Sequence, residues 1–151
     1  MIPANVVPKK MTGKRTIATN RAFTHDELLQ FMRERWNETE FNRIIVDPSM
    51  AQYTNLYVVL PATSRHMIIV YSRAGGMLSK ENRVILSIIH DPARAAELMM
   101  RGIPTQNVFF GTAKIAGNLS DKADREGPTE EILQRYADYM HYLLGQAGYL
   151  Q

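Results

Sequence analysis

A chain of 151 residues, 45% hydrophobic and 22% charged, has the size and balance of one globular domain. It contains no cysteine, which excludes disulfides, thiolate metal sites and cysteine nucleophiles and agrees with a reducing, cytoplasmic setting. The net charge of +3 is uneven, because Lys9, Lys10, Lys14, Arg15 and Arg21 all fall in the first 21 residues, where there is no acid.

The chain therefore opens on a basic arm, residues 1–16, ahead of a domain over 17–151. Pro3 and Pro8 oppose a helix there, and lysines follow the mildly apolar start, the reverse of a signal peptide. A mobile, solvated tail is the expectation. Binding of nucleic acid or an acidic partner is the alternative. No stretch approaches the ~20 apolar residues of a membrane span.

Lys14 to Thr19 (KRTIAT) reads as a short first strand. Thr24 then opens a helix over about 25–36, with Glu27 placed to close a capping box and Leu28, Leu29, Met32 and Trp36 on one face. Asn42 to Asp47 is a short apolar run of the kind buried on both faces of a sheet. Pro48 to Pro61 is ambiguous: proline suits a first helical turn, whereas Leu56 to Leu60 has strand propensity. Arg65 to Ser72 is a strand ended by Gly75-Gly76, and Arg83 to His90 is the clearest strand of all.

Asp91-Pro92 caps a helix over 92–101 that stops at Gly102, and residues 107–112 form another strand. A last helix over 129–144 presents Ile132, Leu133, Tyr136, Met140, Leu143 and Leu144 on one face. Strands alternating with helices predict an α/β domain with a mostly parallel, doubly wound sheet holding 43–46, 67–71, 84–89 and 107–112. The alternative is an α+β fold with an antiparallel hairpin at 55–72.

In a parallel sheet, ligands gather beyond the carboxyl ends of the strands. That edge would hold Asn20 to Asp26, Asp47 to Met50, Ser87 to Asp91 and the Gly111 region. Of the four histidines, His66 falls at the opposite edge and His141 beside the apolar face of the last helix. His90 and Gly111 are secondary candidates. His25 sits one residue inside the first helix cap, where an attached phosphoryl group would meet free N–H groups, with Arg21 near enough to add a charge-assisted contact. The plainer role, an exposed first-turn residue, stays open. No residue set has the spacing of a metal site, and no nucleotide-binding loop is present.

Arg83-Val84-Ile85-Leu86, Asp91-Pro92, Leu98, Gly102-Ile103-Pro104, Val108 and Gly111 form an ordered series, as do Trp36, Glu38-Thr39 and Asn42 to Val46. This series resembles the B component (IIB) of the mannose/fructose/sorbose class of bacterial sugar phosphotransferase systems, over roughly residues 36–145. The resemblance implies a cytoplasmic phosphoryl carrier without a cofactor, a phosphotransferase that takes its phosphoryl group from an A component (IIA) and passes it to a sugar entering through membrane IIC and IID components. It assigns the phosphoryl group to His25, with Arg21 as anion partner and Thr24 and Asn20 as phosphate-binding residues. In this chain Asn20 replaces an aspartate of the family turn and Asp26-Glu27 replaces Gly-Gln, placing two acids beside the histidine. An inactive regulatory or binding module, and an unrelated domain with a nucleic-acid-binding arm, are the other readings.

Overall fold

The computed structural model describes residues 6–9, 11–46, 48–63, 66–76, 81–90 and 128–151. Its strands are β1 (Lys14–Thr19), β2 (Val58–Thr63), β3 (His66–Arg73) and β4 (Asn82–His90), joined in one sheet in the order β1-β4-β3-β2. Every neighbouring pair is antiparallel. The helices are α1 (His25–Arg35), the short α2 (Ala51–Thr54), which follows a 3₁₀ turn at Pro48–Met50, and α3 (Pro128–Gln146).

The fold is thus α+β, not the mostly parallel, doubly wound sheet that alternation and the phosphotransferase resemblance imply. Residues 55–72 supply the hairpin, with Val58 opposite Val70 and Leu60 opposite Ile68. The misleading signal is the alternation of strands and helices, reinforced by the apolar run of β4, which only Ser87 interrupts. Such runs mark strands covered on both faces, which parallel sheets usually provide. Here antiparallel strands are covered on both faces. Val84, Leu86, Ile68 and Val70 pack with α1 and α3, while Ile45 and Met50 close over Val59, Met67 and Ile69 on the other side. The expected helix at 92–101 and strand at 107–112 lie outside the described residues, as does the whole of the series from Asp91 to Gly111.

The expected strand at 43–46 is reduced to one bridge, Ile45 to Val59, along the outer edge of β2. The register of β2 shifts between Pro61 and Thr63. Proline has no N–H for the ladder, and the Pro61 carbonyl instead accepts from Asn42 Nδ2 at 3.1 Å and from the Tyr136 hydroxyl at 2.8 Å.

β1 forms the opposite edge of the sheet. Gly13, at φ 80°, allows the turn in which the Lys14 N–H donates to the Met11 carbonyl. At the far end of β1, the Asn20 N–H donates to the Tyr149 carbonyl at 2.9 Å and the Gln151 N–H to Ala18 at 3.4 Å. Gly148, also at φ 80°, makes this return possible. It ends α3 with the Gly148 N–H on the Gly145 carbonyl and the Tyr149 N–H on the Leu144 carbonyl. Both sheet edges are thereby shielded by short non-strand segments, which limits edge-to-edge pairing.

The arm boundary at residue 16 falls inside β1, and the described part of the arm lies against α3. Val7 is 2% exposed. Its N–H donates to Asp138 Oδ1 and its carbonyl accepts from Gln134 Nε2. The Gly13 N–H donates to Glu130 Oε2 at 2.7 Å. Two of the arm's basic residues, Lys9 and Arg15, are ion-paired with that same glutamate.

Candidate functional site

The β1–α1 turn holds four of the predicted site residues, Asn20, Arg21, Thr24 and His25, and the first three each have a specific partner. Thr24, extended at φ −71° and ψ 166°, caps α1: its Oγ1 accepts from the Glu27 N–H at 3.1 Å, and Glu27 Oε1 accepts from the Thr24 N–H at 2.9 Å. Glu27 Oε2 accepts from Arg21 Nη2 at 2.8 Å. The Arg21 guanidinium lies 4.7 Å from the Phe23 ring centre, with the Tyr149 ring at 5.9 Å. Asn20 Nδ2 donates to the Gly148 carbonyl at 2.8 Å. The Phe23 N–H donates to Ser72 Oγ, tying the turn to the end of β3.

The place where a phosphate oxygen would meet the first helical turn is therefore occupied by the chain's own carboxylate. The Thr24 N–H first, and the Arg21 guanidinium second, hold the Glu27 carboxyl below its ordinary range. His25 is half-buried beside this cap, with its Nδ1 enclosed and without a hydrogen-bond partner.

Antiparallel pairing also separates the residues that a parallel sheet would gather. Thr19 pairs with Asn82, at the start of β4, while His90 ends that strand opposite His66. At about 3.4 Å per residue, the backbone of His90 lies about 27 Å along the strand from the end that carries the His25 turn. His66 is fully buried, with Nδ1 2.9 Å from Thr63 Oγ1. Gly111 lies outside the described residues. Among the described residues, no group of three metal-ligating side chains converges.

An open groove occurs elsewhere, between the arm and the second half of α3. It encloses about 370 Å³, lined by Val6, His141, Tyr142, Gly145 and Leu150 among others. It adjoins a second hollow of about 300 Å³ along the edge of β1, where Pro8, Thr16 and Gln151 join Val6, His141 and Leu150. Gly145 keeps the first part open, since a Cβ there would stand 3.1 Å from Leu150 Cδ1. Tyr142, 38% exposed, accepts at its hydroxyl from Gln146 Nε2 at 2.6 Å. Sequence reasoning missed this groove because it is made by residues more than 130 positions apart. The signals available were Gly145 within an apolar helical face and the apolar start of the arm.

No family model, curated protein or solved structure matches this chain. No helix among the described residues is long and apolar enough to cross a membrane.

Proposed function

We propose that this domain is a binding module whose ligand seats an apolar body in the groove between the arm and α3. The observation that carries this reading is the groove itself, with Tyr142 and Leu150 as apolar walls, His141 as a polar wall, and a glycine where a side chain would fill it. Pockets of this size with few polar groups suit small apolar ligands or single anchoring side chains. In the β1–α1 turn, by contrast, Arg21, Thr24 and Asn20 have structural partners. Lys9 and Arg15, which an arm gripping nucleic acid would need free, face Glu130.

The test is an amide NMR titration of the whole chain with the apolar anion 8-anilinonaphthalene-1-sulfonate. Shifts confined to residues around Val6, Tyr142, Gly145 and Leu150, and lost in Gly145→Val, are expected. Absent or scattered shifts would sink the reading.

One observation favours a second reading, in which His25 accepts a phosphoryl group: its half-buried imidazole, with Nδ1 unpartnered, stands at the positive end of α1. That chemistry requires Glu27 to leave the cap, because a phosphoryl group and this carboxylate repel each other. Incubation with a phosphohistidine donor protein, followed by intact mass analysis, decides it. An acid-labile adduct of one phosphoryl group, absent in His25→Ala and increased in Glu27→Gln, supports the carrier. No adduct in either the parent or Glu27→Gln removes it.

A further inference from the structure

Arg73 closes β3 and Arg83 is the second residue of β4, and the two are direct partners in the antiparallel register. Their neighbours Ser72 and Val84 also pair, and Val84 faces the core under α1 and α3. Side chains alternate along a strand, so Arg73 and Arg83 share the opposite face of the sheet. Directly opposed residues of this kind have Cβ atoms about 4.5–5.5 Å apart, and like charges so placed destabilise the pairing.

No carboxylate among the described residues neutralises that pair of charges. Among the described residues, neither arginine forms an ion pair. Arg83 Nη1 donates only to the backbone carbonyl of Glu81, at 3.3 Å, and the Arg73 guanidinium stands 5.3 Å from the Tyr71 ring centre. The third residue in the row, Ala18 of β1, adds neither charge nor bulk beside Arg83. The strand ends are nevertheless fixed: Asn82 Oδ1 accepts from the Gly75 N–H at 2.9 Å, and Ser72 Oγ from the Phe23 N–H at 2.9 Å. The two arginine backbones are thus held opposite each other and are not free to splay, with the exposed Arg73 side chain lying toward Tyr71 and the half-buried Arg83 side chain toward Glu81.

We propose that Arg73 and Arg83 form a binding site for a phosphate group, carried either by a small phosphorylated ligand or by a nucleic-acid backbone. Guanidinium forks match the paired oxygens of phosphate, and an anion between them turns the mutual repulsion into two charge-assisted contacts. The site lies apart from the groove between the arm and α3, and it does not depend on the reading given to that groove.

The experiment is an NMR and calorimetric titration of the full chain, at low and moderate salt, with inorganic phosphate in one arm and a short single-stranded oligothymidylate in the other. At least one is expected to bind and to shift the amides around Arg73 and Arg83. Arg73→Gln or Arg83→Gln should weaken binding about tenfold, the loss of one charge-assisted contact, and Arg73→Lys should recover part of it. Both glutamine variants should fold at least as stably as the parent, because each removes a like-charge contact. Tighter binding of the oligonucleotide, falling steeply with salt, assigns the site to a nucleic-acid backbone. Comparable affinity per phosphate assigns it to a small phosphorylated ligand. Failure of both ligands to shift these amides, or unchanged binding in the double glutamine variant, would overturn the proposal.

Discussion

Arg15 and Glu130, 115 positions apart, meet at 3.2 Å with side chains only 2% and 7% exposed. Arg15 also donates through Nε to Gln134 Oε1 at 2.7 Å, and the second oxygen of Glu130 accepts from the Gly13 N–H. Glu130→Ala leaves a buried guanidinium and a buried N–H without their acceptor, a change that costs about 3–5 kcal/mol. Urea unfolding should show the midpoint falling with an unchanged slope. Lys9→Ala removes only a half-exposed partner at 3.6 Å and should stay within about 0.5 kcal/mol.

Val7 provides a separate check on the arm. Val7→Ala removes the equivalent of about two buried methylene groups, roughly 1.5 kcal/mol, and leaves its backbone bonds to Asp138 and Gln134 in place. For a domain of this size that corresponds to a fall in melting temperature of about 3–6 °C. A loose, solvated arm would give no shift.

Local pattern carried much of this fold, and its failures are instructive. KRTIAT is β1, the Thr24 cap and its glutamate form the box that their spacing implies, and the six residues named on the last helix are all 5% exposed or less. Strand direction was not legible. A run such as Arg83 to His90 says that both faces are covered but not by what, and among the described residues Ile45 and Met50 pack on the second face. Pro48 left the stretch to Pro61 open between helix and strand, and the chain uses both there, a 3₁₀ turn at Pro48–Met50 and β2 from Val58. The site inference failed with the direction. Once β1 and β4 run antiparallel, Asn20 and His90 lie at opposite ends of the sheet, and the far end of the chain supplies the Gly148 carbonyl that engages Asn20 and the Tyr149 ring near Arg21, whose ion pair is with Glu27.

Acid should loosen the start of α1. The Glu27 carboxyl is held below its ordinary value, so its contribution is complete above the unfolded-state value and is lost as pH falls through the lower folded value. Carboxyl NMR should place the Glu27 midpoint below that of a free glutamate, about 4.3. Arg21→Ala should move it back upward. Thr24→Ala, which removes the reciprocal half of the box, is expected to lower stability by about 1 kcal/mol without changing the sheet.

Alkali should act on the opposite wall of the core. Tyr136 is fully buried, its hydroxyl donates to the Pro61 carbonyl, and Asn42 Nδ2 donates to it. Burial pushes its phenol well above the ordinary tyrosine value of about 10, and the Asn42 contact opposes that shift only in part. Stability from this group is therefore complete below about pH 10 and is lost above it, because the unfolded chain releases the proton first. Tyr136→Phe leaves the buried Asn42 with one hydrogen bond fewer and costs about 1–3 kcal/mol at neutral pH. It should also flatten the decline in stability above pH 10. Tyr139 is raised as well, chiefly by burial, so Tyr139→Phe is the necessary control and should leave most of the alkaline decline in place. Absorbance at tyrosinate wavelengths gives the independent reading. In the parent, one of the seven tyrosines should ionise only as the chain unfolds, and a smooth titration of all seven in the folded protein would contradict the burial of Tyr136.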